Sequence, residues 1–296
     1  NPAATIKMIE KYFGSLPRGP EVKPVVVKPV SLSGNRYVSY TDNYARLPML
    51  SITYPTVRDY SKDMVALDCL SDILASGKNA ILYQTMVKKQ QALQAAAYSD
   101  LSELAGEFTV RIIPIAGKSL SDMEKLYYAA LDTLEKRGVI QEDIEKYKGS
   151  AVAGIVTGLQ SVSGKVSRLA AFQTFTGNPN KTADLLKLYK SLTAADVMRV
   201  FNTYIKGKGA VVVSVLTKDA QVAPAHRDNY TIDTTNYTAP NYGYDKLKYV
   251  KAKDKFNRKQ MPPLQPVPVV KAPAFWRKSL PSGTQVIGVN NNEIPL

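Results

Sequence analysis

The stretch PMLSITYPTVRDYSKDMVALDCLSDIL, residues 48–74, decides the fold class, because its hydrophobic period changes from two to about 3.6 along its length. Leu50, Ile52 and Tyr54 alternate with other residues, which predicts a strand over Pro48–Val57 with one buried face. The second half carries apolar residues at helical spacing, namely Met64, Leu67, Leu70, Ile73 and Leu74. This spacing predicts an amphipathic helix over Lys62–Leu74.

Further strands and helices follow from the same periodicities. We expect strands at Arg36–Thr41, beside Pro48–Val57, and at Ala92–Asp100, Glu107–Pro114 and the apolar run Gly209–Leu216, which reads as a central strand. Helices are expected at Ala80–Lys88, Asp122–Arg137, Glu142–Ser161, Lys165–Thr176 (broken), Ala183–Lys190 and Thr193–Ile205. Paired strands and a block of helices indicate an α+β, two-layer sandwich: a mostly antiparallel or mixed sheet with helices packed on one face.

Composition excludes several classes of site. The chain of 296 residues has one histidine, His226, and one cysteine, Cys69. Intramolecular disulfides and zinc sites built on paired His or Cys residues, such as HxxEH, are therefore impossible within it. No apolar run approaches the ~20 residues that cross a bilayer.

The charge of the chain is +14, which raises the possibility of nucleic-acid binding. Ten basic and two acidic residues lie between Asn241 and Leu280, however, in a stretch that also contains five prolines. This composition is typical of a solvated, extended linker, so a basic nucleic-acid-binding module is the third alternative only.

We divide the chain into five segments. Residues 1–14 are expected to be the C-terminal helix of a preceding unit, 15–30 a linker with four prolines, and 31–217 a complete α+β domain. Residues 218–274 form the basic, Pro-rich linker, and 275–296 read as the first strands of a following unit. This arrangement suggests a piece of a longer polypeptide.

Four motifs together resemble one enzyme family. They are IEKYFGSLPRG from Ile9, SDILASGKNAILYQTMVKKQQALQAAAYS from Ser71, LEKRGVIQEDIEKYK from Leu134 and SLTAADVMRVFNTYIKGKGAVVVSVL from Ser191. In this order and spacing they are similar to the M16 zinc metallopeptidases, the pitrilysin and insulinase relatives. The resemblance implies paired α+β units, one of which carries HxxEH and a downstream Glu while the other has lost them.

HxxEH is absent here, so the chain resembles the inactive unit, with no catalytic residue, no metal ligand and no cofactor of its own. The resemblance implies that zinc lies in a preceding catalytic unit and that the partners are this unit and a peptide substrate. The distribution of the basic residues argues against nucleic acid as a partner. It further implies a parent zinc metalloendopeptidase in the bacterial cell envelope, in the periplasm. The alternative is a structural M16-like core subunit without peptidase activity in any unit.

One residue is a candidate for contact with substrate. Some relatives place an Arg and, seven residues on, a Tyr against the peptide, and this pattern falls on Lys88 and Ala95. We predict that Lys88 faces substrate, although an ammonium lacks the bidentate geometry of an arginine. Tyr98 is nearby, but it should point to the other face of its strand.

The remaining candidates have structural explanations. Cys69 is expected to be a small buried hydrophobe, and His226 a surface residue with a minor metal role as the alternative. The acids Glu142, Asp143 and Glu145 open a helix, where they complement its dipole. Ser161 lacks the GxSxG context of a nucleophile.

Overall fold

The computed structural model describes residues 2–19, 21, 25–218, 222–231, 238, 248, 257, 259–261 and 273–290. The chain forms two compact units, Asn1–Thr231 and Ile232–Leu296. Most of the predicted linker over 218–274, part of the linker over 15–30 and the last six residues lie outside the described residues.

The first unit contains strands and helices in the predicted order. Its strands are β1 (Arg36–Asp42), β2 (Met49–Thr56), β3 (Ala92–Leu101), β4 (Gly106–Pro114) and β5 (Val211–Thr217). Its helices are α1 (Pro2–Phe13), α2 (Met64–Ala75), α3 (Leu120–Arg137), α4 (Gln141–Gly158), α5 (Val162–Thr176), α6 (Thr182–Ser191) and α7 (Ala194–Val200). Two π-helical turns, Tyr83–Val87 and Phe201–Ile205, precede β3 and extend α7.

The five strands form one mixed sheet in the order β1-β5-β2-β4-β3. β5 runs parallel to β1 and antiparallel to β2, and the remaining pairs are antiparallel. The expectation that the first two strands are neighbours is therefore wrong, because β5 lies between them. The run GAVVVSVL is apolar at nearly every position and forms this interior strand, in which Val212 and Ser214 are buried while Val211 and Val213 are half-buried.

One face of the sheet forms the core of the domain. Residues of β2 and β4 are paired across the sheet and fully buried: Leu50 with Ile112, Ile52 with Val110 and Tyr54 with Phe108. The helices α2 and α3 pack on this sheet, and α2 buries Leu67, Leu70 and Leu74. The α+β sandwich of a mixed sheet with a helical layer is thus confirmed.

The helix boundaries follow local capping. The predicted capping box at α7 is present: the Thr193 backbone N–H donates to Asp196 Oδ2 at 3.1 Å, and Thr193 Oγ1 accepts from the Asp196 N–H at 3.2 Å. The expectation that the helix over Lys165–Thr176 is broken is wrong, since α5 is continuous from Val162 to Thr176. Gly164 lies in the first turn of α5, where backbone N–H groups have no partner within the helix. A glycine at this position therefore does not interrupt the helix.

The second unit contains a single described hairpin, β6 (Phe275–Ser279) with β7 (Gln285–Val289). Its turn passes through Gly283, whose φ of 82° lies in the left-handed region that favours glycine. Opposite Trp276 the chain requires Gly288, because a Cβ there would meet the indole ring at 2.2 Å. The strand, turn and strand agree with the sequence pattern of this segment. Within the described residues, no helix has the length and apolar character needed to span a membrane.

Candidate functional site

An open groove of about 560 Å³ lies between α2, α4, α6 and the edge strand β3. α2 contributes Asp68, Ser71 and Asp72 to its lining, while Tyr147 and Tyr189 come from α4 and α6. β3 pairs with β4 on one side, and on the other side it pairs with no strand of the described residues. The groove therefore runs beside a strand edge whose backbone N–H and C=O groups are available for hydrogen bonding.

Asp68 is the unusual group of the groove. Its carboxylate accepts no hydrogen bond from the described part of the chain, whereas its backbone carbonyl accepts one from the Ser71 hydroxyl at 2.7 Å. Burial, together with the charge of Asp59, raises the pKa of Asp68 to about 7. At neutral pH this carboxyl group is consequently divided between its neutral and charged forms.

Asp72, one helical turn further along α2, has its own cation. Lys146 Nζ lies 3.2 Å from Asp72 Oδ2 and also donates a hydrogen bond at 3.1 Å to the carbonyl of Ser76, just beyond the end of α2. An ammonium group thus joins α4 to the C-terminal end of α2, where the helix dipole favours positive charge.

The tyrosines supply neutral hydroxyl groups. The rings of Tyr147 and Tyr189 lie 6.0 Å apart. Burial is the main cause that raises the pKa of each phenol above 10.0. Both phenols therefore stay protonated at neutral pH, as hydrogen-bond donors for a polar ligand.

These residues do not fit a zinc ion. Asp68, Ser71 and Asp72 stand at the spacing of the first His, the Glu and the second His of HxxEH, on one face of α2. Serine replaces the general base, however, and Lys146 places a positive charge beside Asp72. Among the described residues no group of three His, Cys, Asp or Glu could hold a metal ion. This groove could not be recognised from the sequence by its histidines, because DCLSD keeps the spacing of HxxEH without them.

Lys88 lies outside this groove. It follows the π-helical turn Tyr83–Val87, is exposed, and donates a hydrogen bond from Nζ to Gln84 Oε1 at 3.1 Å. On β3, Ala95 packs against the core, whereas the Tyr98 ring lies 5.2 Å from the Arg111 guanidinium. The structure therefore does not bring Lys88 together with the carboxylates of the groove.

Cys69 and His226 have defined environments. Cys69 is fully buried, as predicted, and burial raises the pKa of its thiol to about 12. The half-exposed His226 places Nε2 at 3.0 Å from Oε2 of the buried Glu124, an ion pair when the imidazole is protonated. Tyr37 completes this contact, with its ring 4.4 Å from the imidazole and its hydroxyl donating to Glu124 Oε1 at 3.0 Å.

The acidic residues at the start of α4 and Ser161 have local roles. Asp143 Oδ2 pairs with Arg137 at 2.5 Å and also lies 3.4 Å from the Ile140 backbone N–H, in the capping interaction of α4. Ser161 Oγ caps α5 by accepting from the Gly164 N–H at 2.9 Å. Asp143 and Ser161 thus have structural roles at the starts of α4 and α5.

Comparison with known proteins gives a consistent result. A family model described as "Peptidase M16 inactive domain" matches residues 1–150. The zinc protease PqqE of Helicobacter pylori is 25% identical over 217 residues, which cover 72% of this chain and 48% of that protein. The chain thus spans about half the length of this curated relative.

Solved structures agree with the fold. A protease from Helicobacter pylori matches with a TM-score of 0.65 and 25% identity, over 73% of this chain and 52% of that chain. The periplasmic protease PqqL of Escherichia coli matches with a TM-score of 0.57 and 12% identity, over 74% of this chain and 24% of that chain. At 12% identity the second comparison establishes similarity of fold alone.

Proposed function

Because this chain belongs to the M16 peptidase family as its inactive domain, we propose that it is the non-catalytic unit of a zinc metalloendopeptidase. In this proposal it forms the wall of a peptide-binding chamber opposite a zinc-bearing unit. The observation that carries the proposal is the α2 groove, where Asp68, Ser71 and Asp72 stand at the spacing of HxxEH without its chemistry.

The groove supports a role in holding peptide. An extended peptide can add to the open edge of β3 through backbone hydrogen bonds. Tyr147 and Tyr189 offer hydroxyl groups beside this edge. Holding the peptide in one geometry lowers the entropic cost of its cleavage at the zinc site of the other unit. Lys88, which is exposed just before β3, is proposed to face substrate from beyond the groove.

The partner in this proposal is the preceding catalytic unit. No residue of α1 is buried, and its apolar face, with Ile6, Ile9, Tyr12 and Phe13, is more than half exposed. We propose that 1–14 is the last helix of that unit, that 15–30 links it to the domain over 31–217, and that 218–274 leads to a following unit beginning at 275–296. The name of the Escherichia coli protease supports a periplasmic location in bacteria.

The test compares the complete polypeptide from the gene with this chain alone. Zinc is measured by plasma mass spectrometry after dialysis, and cleavage is measured with quenched fluorescent peptides. We expect zinc and cleavage in the complete polypeptide and neither in this chain. Tight stoichiometric zinc on this chain alone would contradict the proposal. A complete polypeptide without zinc or activity would favour the structural core subunit instead.

A matched pair of variants tests Lys88 in the complete polypeptide. Lys88→Ala should raise KM for peptide cleavage and leave kcat nearly unchanged, because it removes a contact made equally in the ground and transition states. Lys89→Ala, which removes the neighbouring exposed ammonium, is the control. Equal KM values for both variants would remove Lys88 from the proposed site.

A further inference from the structure

A second cavity, of about 710 Å³, lies in the first unit away from the α2 groove. Its walls are the segment 27–32, the end of β2, the turn between β3 and β4, and the π-helical turn that extends α7. None of the residues that line the α2 groove lines this cavity, and neither does Lys88.

All charged residues that line this cavity are positive. Lys28, Arg58 and Lys208 line it from three separate segments, and its lining contains no aspartate or glutamate. Within the described residues none of these three cations forms an ion pair. Three uncompensated cations around one concave surface attract a negatively charged ligand.

The nearby buried acid, Asp63, does not offset these cations. Tyr204 lines the cavity, but its hydroxyl donates to Asp63 Oδ2 at 2.7 Å. The other carboxylate oxygen, Oδ1, accepts from Arg199 Nη2 at 2.9 Å. The charge of Asp63 is therefore balanced by Arg199.

Two hydroxyl groups in the cavity wall are without partners. Thr56 Oγ1 and Ser61 Oγ are both buried and make no hydrogen bond within the described part of the chain. A buried hydroxyl without a partner costs about 1–3 kcal/mol. Both oxygens are closed off from the cavity in this conformation, and rotation about χ1 to face the cavity would let a ligand oxygen recover this cost. Hydroxyl donors beside cations are the groups that bind a carboxylate.

Part of the remaining wall is apolar. It includes the side chains of Val27, Val30, Leu32, Val57 and Leu104, which lie beside the hydroxyl-bearing Ser31 and Thr203. The volume falls within the range of about 300–1,000 Å³ that is typical of sites for organic ligands. A bare inorganic ion would leave most of this space and these apolar side chains without contact.

We propose that this cavity binds an organic carboxylate with an apolar body, supplied by the C-terminal residue of a peptide or by a free carboxylic acid. Arg58, Lys208 and Lys28 hold the carboxylate, Thr56 and Ser61 donate to its oxygens, and the valine and leucine side chains contact the apolar body. The peptide as source rests on the proposed function, whereas the site itself does not.

The test is calorimetric titration of this chain alone at low ionic strength. The probes are the acetylated tripeptide Ac-Gly-Ala-Leu with a free C-terminus, the same tripeptide as its C-terminal amide, and hexanoate. We expect the free acid to bind at least tenfold more tightly than the amide. Tighter binding of the tripeptide than of hexanoate identifies a peptide terminus as the source, and the reverse order identifies a free carboxylic acid.

Variants connect binding to the cavity. Arg58→Gln and Lys208→Gln should each weaken binding of the free acid at least fivefold, while Lys136→Gln, which removes an exposed ammonium on α3, should leave it unchanged. Thr56→Val removes one unpartnered hydroxyl from a strand position that suits valine, and it should also weaken binding. Circular dichroism verifies that each variant is folded.

Three results would overturn the inference: no binding of either acid, equal binding of acid and amide, or binding that is insensitive to Arg58, Lys208 and Thr56. Stronger binding of inorganic tripolyphosphate than of the acids would also overturn it, since the apolar walls would then have no part. Because these titrations need neither zinc nor cleavage, their failure is distinct from failure of the proposed chamber function.

Discussion

Arg199 on α7 donates a hydrogen bond at 2.9 Å to Asp63, the residue that precedes α2, and joins two elements 136 residues apart in the chain. Asp63 is 4% exposed, and Tyr204 donates to its second oxygen at 2.7 Å. A buried carboxylate with two donors is costly to leave without them. The ion pair of Arg199 and Asp63 therefore holds α7 against the N-terminal end of α2.

Removing the carboxylate should destabilise the domain. We expect Asp63→Ala to lower the free energy of unfolding by about 2–3 kcal/mol, because Arg199 and Tyr204 then lose their acceptor while Arg199 keeps part of its hydration. Urea denaturation measures the change. The control is Asp184→Ala, which breaks the exposed pair with Lys181 and should cost no more than about 0.5 kcal/mol. Equal decreases in the free energy of unfolding of both variants would show that the buried ion pair contributes no more to stability than the exposed one.

The carboxylate of Asp63 also makes the stability of the fold depend on pH. Burial acts to raise the pKa of Asp63, but the hydrogen bonds from Arg199 and Tyr204 outweigh it and lower the pKa below 3.8. The stabilisation is therefore present above pH 4 and is lost as the pH falls through the folded-state pKa. The difference in stability between wild type and Asp63→Asn should shrink between pH 7 and pH 3. A difference that stays constant over this range would contradict the assignment.

The pKa of Asp68 is shifted in the opposite direction to that of Asp63. Its pKa is raised from 3.8 to about 7, so the folded state binds the proton more tightly than the unfolded state does. Its neutral form stabilises the fold at low pH, and this contribution is lost as the pH rises from about 4 to about 7. Asp59, Asp72, Lys146, Tyr147 and Tyr189 are the titratable groups around it.

Asp68→Asn should consequently raise the unfolding temperature at pH 8 and have little effect at pH 4, since asparagine resembles the protonated acid. Differential scanning fluorimetry at both pH values measures this. Asp72→Asn is the matched control one turn away, and it should give no gain because it removes the partner of Lys146. A lower unfolding temperature of Asp68→Asn at pH 8 would mean that the charged form is favoured in the fold.

Asn229 fastens the segment 222–231 to the outer edge of β1. Its Oδ1 accepts from the Tyr37 N–H at 2.7 Å, and its own N–H donates to the Tyr37 carbonyl at 3.2 Å. Asn229→Ala should increase hydrogen exchange of the Tyr37 amide at least tenfold, because this amide then opens to water. Asp228→Ala changes the neighbouring exposed residue and should leave the exchange rate unchanged. An unchanged exchange rate in Asn229→Ala would mean that Asn229 does not protect the Tyr37 amide.

Cys69 should be unreactive in the folded protein. It is fully buried, and burial with the nearby charge of Asp72 raises the pKa of its thiol to about 12. Because thiolate is the nucleophile, labelling by iodoacetamide at pH 8 should require unfolding of α2. Mass spectrometry should show labelling in urea and almost none in buffer within the same time. Rapid labelling in buffer would mean that α2 opens locally.

Local pattern predicted the elements of this fold well. The alternation of Leu50, Ile52 and Tyr54 and the helical spacing of Met64 to Leu74 gave the correct strand and helix, since each period reports one buried face. The neighbour relationship of β1 and β2 could not be derived in this way. It depends on the insertion of β5 between β1 and β2, and β5 begins 155 residues after β2 ends. The short loop between β1 and β2 does not indicate that a distant strand lies between them.

The sites were harder to predict than the elements. The α2 groove joins Asp68 to Tyr147, and the cationic cavity joins Lys28, Arg58 and Lys208. Each residue is unremarkable in its own segment, where a lysine or an arginine usually belongs to the solvated surface. Their significance comes from side chains that meet only when the domain is assembled. The spacing of Asp68, Ser71 and Asp72 was the one local signal available.

The contact between Lys146 and Asp72 has a consequence for how this domain is maintained in the cell. The cation beside α2 is encoded in the gene and arrives with translation, so the fold at this point needs nothing from the medium. Chelating agents should leave the unfolding temperature of this chain unchanged. The charge balance at this end of α2 therefore does not depend on the supply of metal.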